Sequence, residues 1–169
     1  PINTIYPYLT GVSDNPDVNA ADVAIGTGVT IDNTGDLLGV SPTVDGSFKV
    51  NNWSSSIKAD NQHIKFCVNP NNGQNIKLNN LSFDVKPSPL HGPAQYSLYI
   101  DIDGIQYELI PASALLFPSW TNISVDLSLY NISSANELCF YLYAWDITNP
   151  FDTPSSTLNI DNIIINGEI

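Results

Sequence analysis

Residues 95–102 read QYSLYIDI, and this stretch contains the pattern that decides the fold. Every second residue is apolar from Tyr96 to Ile102, and the positions between them are mostly polar. A repeat of two residues is the period at which side chains alternate between the faces of a β-strand. Antiparallel sheets with one covered face show this alternation. The same pattern recurs in five further segments, 63–68, 81–86, 121–127, 137–145 and 157–165.

Glycine-containing dipeptides separate these segments. Asn72-Gly73, Asp103-Gly104 and Asp45-Gly46 each suit the positive φ angles of a tight turn between strands. Only residues 19–25 suggest a short helical turn, which Gly26 would end. Many short strands at spacings of roughly ten residues are typical of a β-sandwich. We therefore predict a single all-β domain over residues 1–169, an antiparallel sandwich of jelly-roll type.

The composition excludes several classes of protein. The chain has 169 residues, of which 43% are hydrophobic and 13% are charged, so disorder is disfavoured. Seventeen acidic residues against five basic ones give a formal charge of −12, the wrong sign for a protein that binds nucleic acid. The sequence contains no apolar run long enough to span a membrane.

The order of several motifs resembles a secreted bacterial β-sandwich domain. These motifs are Trp53, HIKFCVNP (63–70), IKLNNLSFDVKPS (76–88), HGPAQYSLYIDIDG (91–104) and the closing strand LNIDNIIING (158–167). Copies of that domain occur in Bacteroidota surface proteins with sorting signals and in cyanobacterial PEP-CTERM-type proteins. The resemblance implies an exported, non-catalytic domain similar to a carbohydrate-binding module, located outside the cell or on its surface. It also implies that Trp53 belongs to the core.

Catalytic chemistry finds little support in the sequence. Nucleophilic catalysis needs a base, and neither His63 nor His91 lies near a recognisable nucleophile motif. Glycoside hydrolysis needs two carboxylates across a cleft, and Glu108, Glu137 and Glu168 form no evident pair. We therefore expect that the chain is not an enzyme.

Calcium is the one cofactor that the sequence suggests. Asp161 interrupts the apolar closing strand, and in many carbohydrate-binding jelly rolls the matching Asp helps to hold a structural Ca²⁺. Asp14, Asp17, Asn19 and Asp22 would supply further oxygen ligands. The alternative is that Asp161 caps a β-bulge and that the loop containing the other four residues is simply solvated.

A second candidate site lies on the outward side of segment 137–145. Tyr141, Tyr143 and Trp145 alternate with the apolar inward residues, so the strand is apolar on both sides. Tyr99 and Trp120 could extend such a surface. Aromatic residues in this arrangement stack on sugar rings, meet another subunit, or lie under a loop of the same chain. The sequence leaves these three alternatives open.

The two cysteines also point outward on their segments. Cys67 and Cys139 share that parity, which permits a disulfide if their strands are neighbours. Two free thiols remain the alternative.

The N-terminal arm, residues 1–11 (PINTIYPYLTG), contains two prolines among apolar residues. Proline suits an edge strand or an added strand better than a central one. The arm could pair at the edge of its own sheet or complete the sheet of a neighbouring copy.

Two functions follow from these observations. The first is a structural or adhesive surface protein, in one version a fibre subunit that assembles through the arm. The second is a glycan-binding module with an aromatic platform and a structural calcium. The partners would be copies of the chain itself or a polysaccharide.

Overall fold

The architecture is known from a computed structural model that describes residues 1–6, 11–32, 47–88, 91–115, 119–147 and 156–169. Fourteen strands and one short 3-10 helix, η1 (Leu127–Tyr130), make up its regular structure. The strands are β1 (Ile2–Tyr6), β2 (Val12–Ser13), β3 (Val18–Ala20), β4 (Ala24–Ile25), β5 (Thr30–Asp32), β6 (Phe48–Asn51), β7 (His63–Pro70), β8 (Ile76–Pro87), β9 (Pro93–Ile102), β10 (Ile105–Ala114), β11 (Thr121–Asp126), β12 (Ser133–Ser134), β13 (Leu138–Ile147) and β14 (Leu158–Glu168).

The strands form two antiparallel sheets. Sheet A has eight strands in the order β11-β8-β14-β1-β2, with β12 on β8 and the pair β5-β6 on β14. Sheet B has six strands in the order β10-β9-β13-β7-β3, with β4 also on β7. The predicted all-β antiparallel sandwich is therefore confirmed, and each of the six alternating segments is a strand or part of one. In the described ranges we find no helix long and apolar enough to cross a membrane.

The core lies between the two sheets and is built from the apolar half of each alternating strand. Phe66 of β7 packs on Phe140 of β13, with ring centroids 5.5 Å apart, and on Phe83 of sheet A at 6.1 Å. All three rings are fully buried. Trp53 is also fully buried, and its indole N–H donates to the carbonyl of Val50 at 2.9 Å. Its expected place in the core is confirmed.

Two of the predicted turns adopt the expected backbone, but only one joins paired strands. Asp103 and Gly104 have φ angles of 56° and 85°, and they connect the neighbouring strands β9 and β10. Asn72 and Gly73 have φ angles of 56° and 71°, yet they connect β7 of sheet B to β8 of sheet A. This turn therefore crosses from one layer of the sandwich to the other. The dipeptide Asp45-Gly46 lies outside the described residues.

Residues 19–25 are not helical, so that expectation was wrong. Their ends belong to β3 and β4, which both pair with β7. Ala21 lies between them, and its N–H donates to the carbonyl of Cys67 at 3.0 Å. Pairing with the long strand β7 gives the backbone N–H and C=O groups of this segment hydrogen-bond partners, whereas an isolated helical turn is unfavourable to form.

Residues 2–6 of the N-terminal arm form β1, which is not an edge strand of its sheet, and residues 7–10 lie outside the described residues. β1 pairs with β14 on one side and with the short β2 on the other. Ile2 is 4% exposed and Thr4 is fully buried. Pro1 precedes β1, so it removes no donor from the ladder.

Candidate functional site

The central strand of sheet B brings three tyrosines and two basic side chains onto one outer surface. In the ladders of β13, Tyr141 stands between Lys65 of β7 and Tyr99 of β9. Tyr143 stands opposite His63 of β7. Directly opposite residues share a face of the sheet, so all five side chains point away from the core. We call this set, Tyr99, Tyr141, Tyr143, His63 and Lys65, the aromatic face.

The rings of the aromatic face contact one another. Tyr141 and Tyr143 are nearly parallel, at 15° and a centroid distance of 6.2 Å, and Tyr99 meets Tyr143 edge-on at 5.6 Å. His63 lies 5.0 Å from the Tyr141 ring. The ammonium group of Lys65 lies 5.5 Å from the centroid of Tyr141. Ring contacts of this kind fix the positions of the side chains, so the surface is formed before any ligand binds.

Edge strand β10 contributes hydrogen bonds to this surface. The Tyr99 hydroxyl donates to Glu108 at 2.9 Å, and the Tyr143 hydroxyl donates to the side-chain carbonyl of Gln106 at 2.8 Å. Burial raises the pKa of both tyrosine hydroxyls, so they remain protonated donors at neutral pH.

His63 is held as a neutral ring at neutral pH. Partial burial lowers the pKa of its imidazole below the ordinary 6.5, and the positive charge of Lys65 acts in the same direction. Its Nδ1 lies 2.8 Å from the carbonyl oxygen of Asp60, a contact that opposes this shift. Because a carbonyl oxygen only accepts, Nδ1 of the neutral ring donates to Asp60, and Nε2 is left as an acceptor for a polar ligand.

The segment that precedes β7 covers one end of the aromatic face. Lys58 places its ammonium group 4.1 Å from the centroid of the Tyr143 ring, and the N–H of Asp146 donates to the carbonyl of Ser55 at 3.0 Å. As a result, Tyr143 is 2% exposed and Trp145 is 9% exposed. Neither of these rings is open for stacking, which agrees with one of the three alternatives that the sequence left open, coverage by a segment of the same chain.

The two remaining tyrosines, Tyr141 and Tyr99, are partly exposed. They stand opposite one another across the β9–β13 ladder. Trp120, by contrast, belongs to another part of the molecule. It is 44% exposed and immediately precedes β11, the strand at one end of sheet A. The predicted extension of the aromatic surface is therefore correct in position for Tyr99 and wrong for Trp120.

A disulfide joins Cys67 and Cys139 on the outer side of sheet B. The two residues are directly opposite one another in the β7–β13 ladder, with Cα atoms 4.1 Å apart. Tyr141 and Lys65, two residues along the same strands, form the next outward pair. The disulfide therefore fixes the strand pair that supports the aromatic face.

The candidate calcium ligands lie in separate places. Asp161 belongs to β14 in sheet A, at a bulge where its carboxylate accepts the N–H of Asn162 at 2.7 Å. Asp14 follows β2 and accepts the N–H of Asn3 at 2.8 Å. Asn19 belongs to β3 in sheet B. Asp161 thus has the bulge-capping role that was the alternative to metal binding.

Asp17 and Asp22 do not complete such a site either. Asp17 accepts a hydrogen bond from the Asn72 amide at 3.4 Å, and Asp22 follows β3. Within the described ranges, the only His, Cys, Asp or Glu group with three ligand atoms close together is Cys67, Glu137 and Cys139. Its two sulfurs are bonded to each other, so they are not free thiolate ligands. The described carboxylates are thus not gathered into a group of three, and the structural Ca²⁺ stays a prediction from the sequence.

Several residues of this surface were missed as functional candidates. Lys65 and His63 were recognisable as the polar side of segment 63–68, but the sequence does not show that β7 pairs with β13. Lys58, Gln106 and Glu108 carry no local signal, because their contacts depend on how the sheet is assembled.

Solved structures share the fold of this chain. The K1 cleaved adhesin domain of Lys-gingipain from Porphyromonas gingivalis W83 aligns over 99% of each chain, at 10% identity and a TM-score of 0.53. The CBM22-2 xylan-binding domain from Paenibacillus barcinonensis Xyn10C aligns over 98% of each chain, at 14% identity and a TM-score of 0.46. The tandem CBM22-1-CBM22-2 of that protein aligns at 12% identity and 0.49, over 86% of this chain and 40% of its own.

No protein-family model and no curated protein matches the sequence. At 10% identity, the adhesin domain establishes similarity of fold alone. The β-sandwich architecture implied by the sequence resemblance is therefore confirmed.

Proposed function

We propose that this chain is a non-catalytic, extracellular carbohydrate-binding domain whose ligand lies across the aromatic face. The observation that carries the proposal is the pairing of Tyr141 with Tyr99 and Lys65 in one row across three neighbouring strands. An apolar ring flanked by hydrogen-bonding groups matches the surface of a sugar, whose C–H faces are apolar and whose edge carries hydroxyls.

Each part of the row has a separate role in binding. Tyr141 and Tyr99 offer partly exposed rings for stacking, and Lys65 and Glu108 offer a donor and an acceptor for sugar hydroxyls. Lys58 closes one end of the surface over Tyr143. Because the rings stand on hydrogen-bonded strands, little side-chain freedom is lost on binding.

The disulfide supports the proposed location. Bonds such as Cys67–Cys139 persist in oxidising environments, such as the bacterial periplasm and the cell exterior, and are rare in the cytosol. An exported domain of a bacterial surface protein, as the sequence resemblance implies, would meet those conditions.

A glycan array followed by calorimetry tests the proposed function. Tyr141→Ala should weaken binding of the best glycan roughly three- to tenfold, since a ring contact is worth about 0.5–1.5 kcal/mol. Trp120→Ala is the matched control, because it removes an exposed ring on the opposite sheet. Absence of any glycan bound above background, or equal losses in the two variants, would exclude the aromatic face as a sugar site.

Self-association is a second candidate function, favoured by the free edge of sheet B. Among the described strands, β10 pairs only with β9. Ile105 and Tyr107 on β10 are 58% and 51% exposed, and Leu129 of η1 is 80% exposed. An apolar groove of about 210 Å³, lined partly by Tyr107 and Tyr130, lies beside them. Exposed edge strands next to apolar side chains are typical places for strands of another copy to add.

This route differs from assembly through the N-terminal arm, because β1 is already paired on both sides. Light scattering over a range of concentrations distinguishes the two candidates. If the chain self-associates through β10, Tyr107→Glu abolishes oligomers and leaves glycan binding intact. A wild-type chain that stays monomeric at all concentrations eliminates this second candidate.

A further inference from the structure

On the outer face of sheet A, one asparagine has a lysine on each side of it. In the ladders of β14, Asn159 stands opposite Lys49 of β6 and opposite Lys86 of β8. Their chain neighbours Leu158 and Ile160 are buried in the core, so the three side chains point outward. Neighbouring strands are about 4.8 Å apart, which allows both long lysine side chains to reach one ligand above Asn159.

These residues line a groove of about 220 Å³ together with Pro87, Ser88 and Thr157. Five of the lining residues have a polar side chain, and all five side chains are half-buried. Its end is fixed by two hydrogen bonds, from Ser88 N–H to the carbonyl of Thr157 at 2.9 Å and from Thr157 N–H to Ser88 Oγ at 3.2 Å.

The charge of this groove is opposite to that of the protein. The chain has a formal charge of −12 and only five basic side chains, of which Lys49 and Lys86 are two. Within the part of the chain that the structure describes, the one lysine–carboxylate ion pair joins Lys58 to Asp60. The two lysines that flank Asn159 therefore concentrate positive charge on one part of an acidic molecule.

The next outward row carries two carboxylates, Asp84 of β8 and Asp161 opposite it on β14. Asp84, two residues before Lys86, accepts the amide of Asn122 at 2.8 Å and the amide of Asn162 at 2.7 Å, one on each oxygen. Asp32 stands opposite Lys49 in the β5–β6 ladder.

We propose that the Lys49–Asn159–Lys86 groove binds a single oxyanion group, the carboxylate or sulfate of an acidic sugar. Two ammonium groups supply charge-assisted hydrogen bonds to the oxyanion, and Asn159, Ser88 and Thr157 bond the hydroxyls beside it. The groove is smaller than a typical ligand pocket, and the net negative charge repels a long polyanion, so one isolated anionic group is the ligand class that fits. This site lies on the opposite sheet from the aromatic face and does not depend on it.

Nuclear magnetic resonance titration with sodium sulfate, at constant ionic strength set by sodium chloride, tests the site. The backbone amide of Asn159 should shift and saturate in the wild type. Lys49→Gln and Lys86→Gln should each weaken sulfate binding at least fivefold. Lys77→Gln is the matched control, because Lys77 is an exposed lysine on the same strand β8 and its loss should change nothing. Shifts that do not saturate, or equal losses in all three variants, overturn the site.

Further ligands and variants identify the source of the anion. If glucuronate binds more tightly than sulfate and glucose does not bind, the ligand is an acidic sugar. If sulfate binds as tightly as glucuronate, the groove recognises the oxyanion alone, and the acidic-sugar part of the proposal is overturned. Asp32→Asn removes a negative charge opposite Lys49 and should tighten binding, and an unchanged affinity places the anion away from Lys49 and contradicts the site. Tyr141→Ala should leave sulfate binding intact, so failure of the proposed glycan site is distinguishable.

Discussion

The two outer faces of the sandwich are built on the same pleated geometry but carry different chemistry. On sheet B, the outward positions of β13 hold a disulfide and stacked tyrosines. On sheet A, the outward positions of β8 and β11 hold short polar side chains that bond across the ladder, such as Asn122 to Asp84 at 2.8 Å and Ser124 to Asn80 at 3.3 Å.

Under the proposed function, this difference separates stability on sheet A from recognition on sheet B. Side chains that bond to each other across a ladder, as on sheet A, leave few groups for a ligand. Rings that are partly exposed, as Tyr99 and Tyr141 are on sheet B, retain surface that a ligand can cover. The Lys49–Asn159–Lys86 groove departs from this pattern on sheet A, because among the described residues its two lysines form no ion pair.

The largest expected effect comes from a substitution in the core, which lies between the two sheets and supports both outer faces. Phe66→Ala should lower the free energy of unfolding by about 3–5 kcal/mol, because it leaves a cavity between fully buried rings of both sheets. Urea denaturation measures the change. Ser124→Ala, on the exposed side of sheet A, is the control and should stay within about 0.5 kcal/mol of the wild type. A loss below about 1 kcal/mol for Phe66→Ala would contradict a shared core.

The second largest expected effect is a loss of stability that is greater in sheet B than in sheet A. Removing the disulfide with the double variant Cys67→Ala/Cys139→Ala should cost about 2–4 kcal/mol, since the bond closes a long loop in the unfolded chain. Hydrogen exchange should accelerate more at the amides of β7 and β13 than at those of β8 and β14, because the bond lies in sheet B. Reductant should destabilise the wild type and leave the double variant unaffected. Equal acceleration in both sheets would show that the bond stabilises the whole sandwich rather than one face.

The smallest expected effect is a pH dependence of the free energy of unfolding that arises from His63 on the aromatic face. The folded-state pKa of His63 is below 6.5, so between that pKa and 6.5 the unfolded chain binds more protons than the folded chain. Stability should therefore fall as the pH is lowered through 6.5, and this contribution should level off below the folded-state pKa.

Denaturation midpoints from about pH 5 to pH 8 measure this effect. His63→Gln should remove that component of the slope. If the variant keeps the full wild-type slope near pH 6.5, His63 is not the group responsible.

Much of the fold could be predicted from the sequence because alternation is a local property of the chain. Leu98 and Ile100 on β9 are buried as expected. The turn at Asn72-Gly73 shows the limit of such prediction. Its dipeptide specified positive φ angles, but whether the next strand folds back to pair or crosses to the other sheet depends on distant partners.

The candidate sites were predicted less well, for a related reason. The parity of Tyr141, Tyr143 and Trp145 correctly placed them on the outer side of sheet B. Their exposure was left open, and Tyr143 and Trp145 are buried because the segment containing Lys58 and Ser55 returns over that end of the strand. Trp120 was misplaced, since the sequence does not reveal to which sheet a strand belongs.

The sequence by itself determined which residues face inward, where the chain turns and that the molecule is strongly acidic, because these properties depend on near neighbours and on composition. Only the tertiary structure decided that β13 lies between β7 and β9, that Cys67 meets Cys139, and that Lys49 and Lys86 flank Asn159. Strand order joins residues far apart in the chain, and the free energy that selects it comes from packing the two sheets together rather than from any one segment.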